Sequence, residues 1–279
     1  MRVVLLAAMA ALSISTGFVS SGFVSPAWAQ SLVPPPSPPG VEVPDWALPQ
    51  SATHKQVPPP ADFHRASLTN GGPIGQFEGQ TDVGGPLAPG SANYDAASKT
   101  YTISSAGYNI WYQRDEFRYL WKKTSGDVSL AASVVWPNID DFHDRKVALV
   151  IRDSLEDDSR QIMAAQHGNG MVHISWRAEK SGQMTDISHR AARQPAPGTA
   201  EKGPQALHAT RIGIEKKGDQ FQLWISWQGE TFHPEGAPVT FKTIGPFYVG
   251  VGFTSHLPAN VLTAKVADVV VENSAGKIR

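Results

Sequence analysis

Lys146-Val147-Ala148-Leu149-Val150-Ile151-Arg152 is the plainest of four strand-like runs in the centre of this sequence. The other three runs occupy residues 110–111 continued by 117–121, 128–136 and 171–177. Segments rich in turn-forming residues separate the runs, at 124–127, 137–144, 153–160 and 168–170. Short strands at regular spacing, with turn chemistry between them, predict a sandwich of two antiparallel sheets.

Further strand-like segments lie on both sides of this central stretch. They are residues 99–103, 208–215, 220–227, 247–253 and 261–271. The second and third of them predict a hairpin around Lys216-Lys217-Gly218-Asp219. Residues 178–208 predict a long surface loop with a short strand at 184–187. No amphipathic helix longer than two turns is predicted, so the expected fold class is all-β.

Composition narrows the class of function. The chain has 279 residues, of which 41% are hydrophobic and 18% charged, an ordinary globular balance. A formal net charge of -1 implies no general attraction to nucleic acid or to an anionic membrane. The sequence contains no cysteine, which excludes disulfides, thiolate metal sites and a cysteine nucleophile.

Residues 1–29 have the features of a secretory signal peptide. Arg2 supplies the positive charge, residues 3–14 the apolar core, and Ala27-Trp28-Ala29 the cleavage site that leaves Gln30 as the mature N-terminus. The alternative is an N-terminal membrane anchor, but the apolar core is short for a span and polar residues interrupt it. We therefore expect an exported bacterial protein, periplasmic or secreted. Nothing later in the sequence resembles a transmembrane helix.

A proline-rich segment, 30–70, is predicted to link the signal peptide to the folded domain. Prolines cluster at 34–36, 38–39 and 58–60. Because proline fixes φ and lacks a backbone donor, this segment should be extended and without a core of its own. A recognition tail is the alternative to a linker. The sandwich domain is then predicted at 71–275.

Alternation assigns the side chains of each strand to two faces. The apolar faces are predicted to build the core between the sheets: Val147, Leu149 and Ile151; Val172, Ile174 and Trp176; Phe221, Leu223, Ile225 and Trp227. Phe117, Tyr119 and Trp121 are predicted to belong to the same core, because aromatic residues dominate sandwich cores. An aromatic binding platform is the alternative for these three.

The opposite faces carry polar side chains and one large aromatic ring. Six of them form the predicted ligand-binding set: Trp224, Arg152, Arg177, Arg118, His173 and Gln222. In this hypothesis Trp224 stacks on a sugar ring and the arginines favour a carboxylate-bearing ligand such as a uronic-acid polymer. It requires that the strands lie in one sheet, on its concave face. The alternative is a solvated sheet face with a partly covered tryptophan.

Several segments together resemble a known family. They are Thr81-Asp82-Val83-Gly84; Tyr94-Asp95 with Tyr101-Thr102-Ile103; Asn109-Ile110-Trp111 with Asp115-Glu116-Phe117-Arg118-Tyr119; Ser125-Gly126-Asp127; residues 146–155; Gly168-Asn169-Gly170; Tyr248-Val249-Gly250-Val251 with Thr254-Ser255-His256; and Ala264-Lys265-Val266. Over residues 74–273 their order and spacing resemble the concanavalin A-like lectin/glucanase superfamily. The resemblance is to its uncharacterised branch related to "regulation of enolase protein" and to β-xylosidase C-terminal domains.

This resemblance implies a jelly-roll sandwich of two curved antiparallel sheets. Members of the branch often accompany glycan-active proteins and share no settled activity. The resemblance therefore predicts the fold, and it leaves the function to the residues of the site.

No catalytic motif stands out. An enzyme of the glucanase type needs two carboxylates facing one cleft, and the Glu-x-Asp-x-x-Glu signature is absent. The nearest group, Glu156-Asp157-Asp158, is predicted to be a solvated turn. Motifs for a serine hydrolase, a zinc protease, a phosphate loop and dinucleotide binding are absent as well.

An acidic loop contains Asp140, Asp141, His143 and Asp144, with Asn138 just before them. Oxygen ligands on a loop suit a structural Ca²⁺, but the loop has neither the fixed glycine nor the spacing of a calcium loop. A plain acidic loop is the expectation, and no cofactor is predicted.

These observations predict a non-catalytic carbohydrate-binding module of the cell envelope, with a glycan as its ligand. Two alternatives stay open. One is a glycan-active hydrolase or lyase whose carboxylates are not identified. The other is a structural or interaction module without a sugar site.

Overall fold

A computed structural model describes residues 64–189, 208–227 and 230–278. The predicted signal peptide, most of the predicted linker and residues 190–207 of the predicted loop lie outside these residues. The described residues form seventeen strands and no helix: β1 Leu68–Gly71, β2 Gly79–Val83, β3 Ser91–Asp95, β4 Thr100–Gly107, β5 Ile110–Trp111, β6 Arg114–Asp115, β7 Phe117–Thr124, β8 Val128–Val135, β9 Lys146–Arg152, β10 Gln161–His167, β11 Val172–Arg177, β12 Met184–His189, β13 Ala209–Lys217, β14 Gln220–Trp227, β15 His233–Thr240, β16 Phe247–Thr254 and β17 Leu257–Glu272.

Two large sheets contain fifteen of these strands. The eight-stranded sheet has the order β1-β2-β7-β16-β9-β10-β11-β12, and the seven-stranded sheet has the order β15-β14-β13-β8-β17-β4-β3. Neighbouring strands in both sheets are antiparallel. The chain passes repeatedly from one sheet to the other, so the predicted all-β, jelly-roll sandwich is confirmed. Strands β5 and β6 form a separate small hairpin.

The main core lies between the two sheets, where the alternation predicted it. Val147, Leu149 and Ile151 of β9 meet Leu223 and Ile225 of β14 in one buried cluster. Trp176 and Trp227 pack at the border of this cluster and are only partly buried. Alternation therefore identified the core faces of β9, β11 and β14 correctly.

The prediction that Phe117, Tyr119 and Trp121 join this core is wrong. Leu120, the residue between them, faces the main core instead. Phe117 and Tyr119 are fully buried in a second, smaller cluster with Ala148 and Val150, against which Trp121 packs. Ala148 and Val150 alternate with the core residues of β9, so this second cluster lies on the other side of the eight-stranded sheet.

The structure contains no helix, within the described ranges, that is long and apolar enough to cross a membrane.

Candidate functional site

The hairpin of β5 and β6 covers the outer side of the eight-stranded sheet. Ile110 of β5 is buried against the second cluster, whereas Trp111 beside it is only half-buried. Tyr112 at the tip has a φ of 48°, in the left-handed region that residues other than glycine seldom adopt. The hairpin thus encloses polar residues of β9, β10 and β11 on this side of the sheet. We call this side of β9, β10 and β11 the covered face.

Asp115 of β6 anchors the hairpin to the covered face. Arg177 donates from Nη1 to Oδ2 at 2.9 Å and from Nη2 to Oδ1 at 2.7 Å. Gln161 donates from Nε2 to Oδ1 at 3.1 Å, and Nη2 of Arg152 lies 3.4 Å from Oδ2. Gln161 is the cross-strand partner of both arginines, so three adjacent strands converge on one buried carboxylate.

The two arginines also hold the loops around the covered face. Arg152 donates from Nε to the carbonyl of Ser154 at 2.7 Å and from Nη2 to the carbonyl of Glu156. Arg177 donates from Nη2 to the carbonyl of Tyr112 at 3.1 Å at the hairpin tip. Burial lowers the pKa of Arg152, and the charge of Asp115 opposes this shift. The arrangement is therefore a clamp that closes the hairpin over the sheet.

A second charged network surrounds Glu116 and Asp157. Arg114 donates to Oε1 of Glu116, which also accepts from Arg65 at 3.1 Å. Oδ2 of Asp157 lies 2.9 Å from Nδ1 of His64, within hydrogen-bond distance, and 3.9 Å from Nε of Arg114. Both networks use charged residues of β6, or Glu116 directly after it.

The prediction of a solvated Glu156-Asp157-Asp158 turn is wrong for two of its three residues. Asp157 is only 5% exposed and Asp158 only 7%, because His64 and Arg114 hold the first and Lys180 and Ser181 hold the second. Their partners are distant in sequence, so the local turn pattern carried no sign of this burial. Glu156 is exposed as expected.

A cluster of basic side chains lies further along the covered face. Lys146 of β9 is the cross-strand partner of His167 of β10, whose Nε2 is 3.1 Å from Nε2 of His173 on β11. The ring of Trp111 lies edge-on to His173 and 5.2 Å from the ammonium of Lys146. Burial and the charge of Lys146 hold the pKa of His173 well below its usual value. The imidazole of His173 is therefore neutral at neutral pH.

Several buried polar atoms of the covered face have no hydrogen-bond partner among the described residues. They are Nη1 of Arg152, Oε1 of Gln161, Nδ1 of His173 and Oγ of Ser175. Buried polar atoms in native proteins are nearly always paired, and each exception requires an explanation. These four belong to the adjacent strands β9, β10 and β11 and face the same way, which marks the covered face as the candidate site.

The structure brings together three of the six side chains in the predicted ligand-binding set. Arg152, Arg177 and His173 share the covered face. Arg118 belongs to the same sheet but points to the other side of β7, with Leu120. There it is buried and donates to Asp82 at 3.1 Å and to Gln80 at 2.8 Å.

Trp224 and Gln222 lie in the seven-stranded sheet, so the expectation that all six side chains share one surface is wrong. Trp224 is 8% exposed and packs against Ala131, Phe232 and Ile278. Gln222 donates to the carbonyls of Leu223 and Glu235, both at 2.9 Å. Alternation gave the correct core faces of β9, β11 and β14, but it does not tell which sheet a strand joins.

The acidic loop before β9 is organised around Arg145. Its guanidinium donates to four backbone carbonyls of the loop, those of Asn138, Ile139, Asp141 and Phe142. Carbonyl oxygens of this kind are ligands that Ca²⁺ would use. The guanidinium of Arg145 already takes these four carbonyls, so they are not available to a Ca²⁺ ion.

Four residues of the site were missed by the sequence reasoning. Gln161 and His167 lie in β10, whose Met163-Ala164-Ala165 centre lacks the β-branched residues that indicate a strand. Lys146 shares its face with Arg152 by simple alternation, so its signal was present in the sequence. Asp115 stands in a motif of the family resemblance, but nothing local indicated that it is buried.

Comparisons with known proteins give structural neighbours only. No family model matches the chain, and no curated protein matches it. A functionally unknown protein from Saccharomyces cerevisiae has a TM-score of 0.48 and 12% identity over 67% of this chain and 93% of its own. The carbohydrate-binding module CBM66 from Bacillus subtilis has a TM-score of 0.42 and 15% identity, over 72% and 99%. An alginate lyase from Klebsiella pneumoniae has a TM-score of 0.41 and 11% identity, over 67% and 85%. At these scores and identities the similarities carry no argument about activity.

Proposed function

We propose that this is an exported protein that binds a carboxylate-bearing glycan on the covered face of the eight-stranded sheet. One observation carries the proposal. Four buried polar atoms without partners, on Arg152, Gln161, His173 and Ser175, lie on that face on three adjacent strands. Leaving such groups unpaired destabilises a fold, and binding sites are where proteins retain that cost.

The chemistry of these atoms matches a sugar. The guanidinium of Arg152 donates, the amide oxygen of Gln161 accepts, and the hydroxyl of Ser175 does both. Sugar hydroxyl groups also donate and accept, so a pyranose can pair with all of them. The half-buried ring of Trp111 beside His173 supplies a flat surface for the apolar side of a sugar ring.

The charge of the covered face favours an acidic ligand. Arg152 and Arg177 are buried there, and within the described ranges they share one buried carboxylate, that of Asp115. A ligand carboxylate would offset the excess positive charge, and guanidinium groups match carboxylates bidentately.

The route to the site runs over β12. Ser188 and Asp186 of this edge strand are the cross-strand partners of His173 and Ser175, and both are exposed. The hairpin tip forms the opposite wall. We infer that a glycan chain reaches the covered face across β12.

A glycan array probed with the mature protein tests the proposal. We expect binding to uronic-acid polymers and loss of that binding when their carboxylates are reduced to alcohols, which keeps the sugar backbone intact. Equal binding to the native and reduced polymers would contradict the acidic ligand. An absence of binding to every glycan would contradict the function itself.

Export is part of the same proposal and has its own test. The predicted signal peptide and cleavage site at Ala27-Trp28-Ala29 support it. N-terminal sequencing of the secreted or periplasmic protein should return Gln30, and Met1 would refute the proposal.

A lyase is the second candidate, and the neutral His173 favours it over a hydrolase. A hydrolase needs two carboxylates available for acid and base work. Asp115 and Glu116 are both engaged by arginines and backbone donors, and Glu116 Oε2 accepts from the amide of Tyr108 at 3.1 Å. Elimination needs a neutral base beside the sugar, which His173 can provide. Ultraviolet absorbance of an unsaturated product, lost in His173→Gln, would reveal this activity.

A further inference from the structure

Lys146 is a buried amine without a counter-ion. It is 1% exposed, and its ammonium makes no hydrogen bond or ion pair with any residue in the described part of the chain. The ring of Trp111, 5.2 Å away, is its one aromatic contact within that part. Lys216 shows the contrast: it is also buried, 5% exposed, but its ammonium donates to the carbonyl of Gly218 at 2.8 Å.

Burial of an unpaired ammonium is strongly unfavourable, and a lysine in this position responds by losing its proton. Asp144, Asp115 and Asp186 oppose this loss from a distance, but none of them is within ion-pair range of the amine. Burial prevails and lowers the pKa of Lys146 to about 7. A substantial fraction of the amine is therefore neutral and nucleophilic at neutral pH.

The side chains next to the amine are small or titratable. Ala148 and Ala165, which are cross-strand partners, place small side chains beside Lys146 on the covered face. The two imidazoles of His167 and His173 lie nearby, with their Nε2 atoms 3.1 Å apart. Such a pair can pass a proton between its rings without leaving the site.

We propose that Lys146 forms an imine with the aldehyde of an open-chain sugar or of another small carbonyl compound that enters the covered face. The proposal deepens the proposed function, because it rests on the same face admitting a sugar. It adds a covalent step that glycan binding alone does not require.

The step needs no oxidant or reductant. The lone pair of Nζ attacks the carbonyl carbon, a C–N bond forms, and the carbonyl electrons move to the oxygen. The two N–H protons are transferred to that oxygen, with the histidine pair as relay. The C–O bond then breaks, water leaves, and the C=N double bond forms.

Glycolaldehyde is the probe, because it is the smallest sugar-like aldehyde. The mature protein is incubated with glycolaldehyde and cyanoborohydride at neutral pH, and the reduced adduct is located by peptide mass spectrometry. We expect Lys146 to react at least about tenfold faster than Lys216, the gain in neutral amine that one pKa unit provides. Lys146→Met should lose this adduct and keep the slow reactions of the other lysines.

An unmodified Lys146, or one that reacts no faster than Lys216, overturns the inference. Reaction with formaldehyde but not with glycolaldehyde overturns it for sugars. The glycan array tests the proposed function independently. If acidic glycans bind and no adduct forms, the proposed function holds and the imine is contradicted. If an adduct forms and no glycan binds, only the reactive amine is supported.

Discussion

Arg177 donates hydrogen bonds from both terminal nitrogens of its guanidinium to the two carboxylate oxygens of Asp115, at 2.7 and 2.9 Å. The two residues belong to different parts of the fold, Asp115 to the small hairpin and Arg177 to β11 of the large sheet. Their pairing closes the hairpin over the sheet and creates the enclosed polar face that we propose as a glycan site. Several properties of the protein should depend on this contact and on the groups around it.

Asp115→Asn should destabilise the protein strongly. The substitution keeps the shape of the side chain but leaves the buried charges of Arg152 and Arg177 without their carboxylate. Breaking a buried pair in this way costs about 3–5 kcal/mol of unfolding free energy. Thermal unfolding measures it, with a fall in Tm of at least about 6 °C expected for a domain of this size.

Asp95→Asn is the matched control for Asp115→Asn. Asp95 is exposed and caps a turn through the amide of Ala97 and the hydroxyl of Ser98. Because both of its partners are solvated, its substitution should leave the Tm nearly unchanged. Similar losses in the two variants would mean that the buried clamp contributes nothing special.

Lys146→Met should change how stability depends on pH. Burial lowers the pKa of Lys146 from 10.5 to about 7. Between these values the unfolded chain binds more protons than the folded chain, so the unfolding free energy of the wild type rises with pH, relative to the variant. The difference should approach about 1.4 kcal/mol per pH unit between about pH 7.5 and 9.

Denaturant unfolding of both proteins across that pH range measures the difference. The groups that face the amine, Asp115, Asp144, Asp186, His167 and His173, are the same in both proteins and largely cancel. Parallel pH profiles would show that Lys146 does not titrate in this window.

Trp111→Ala and Trp224→Ala should affect different properties, the first glycan binding and the second stability. Trp111 is half-buried beside the cluster of basic residues, so its loss should weaken glycan binding by about 1–3 kcal/mol, as for other rings stacked on aromatic side chains. Trp224 is buried under Phe232 and Ile278, so its loss should cost about 3 kcal/mol of unfolding free energy and leave binding unchanged.

Calorimetric titration and thermal unfolding of both tryptophan variants separate the two roles. The contrary result is a loss of binding in Trp224→Ala without a loss of stability. That result would place the site on the seven-stranded sheet, around Trp224.

Alternation identified most of the strands and their faces, because burial on one side imposes a period of two. It placed Val147, Leu149 and Ile151 in the core and Arg152 on the opposite face, as the structure has them. It failed for Phe117 and Tyr119 because the eight-stranded sheet buries both of its sides, the second under a hairpin of two short strands. Apolar and polar strand faces are then both buried, and the pattern cannot tell which one meets the other sheet.

The site was only half predictable for a related reason. Arg152, Arg177 and His173 follow from the faces of their own strands. Trp224 was grouped with them because sheet membership depends on long-range pairing, which local sequence does not encode. Gln161 and His167 were missed because the alanines of β10 carry little strand propensity, although small side chains are what a covered sheet face requires.

The most direct test of the proposed site is Ser175→Ala, compared with Ser129→Ala. Both serines are fully buried, but the hydroxyl of Ser175 has no partner in the described residues, whereas that of Ser129 donates to the carbonyl of Ser274 at 2.8 Å. Stability is followed by thermal unfolding, and affinity by calorimetry with galacturonate, mannuronate and guluronate oligosaccharides. We predict that Ser175→Ala keeps or raises the unfolding free energy and weakens binding by about 1 kcal/mol, whereas Ser129→Ala loses about 1 kcal/mol of stability and binds normally. Undiminished binding by Ser175→Ala would contradict the proposed site.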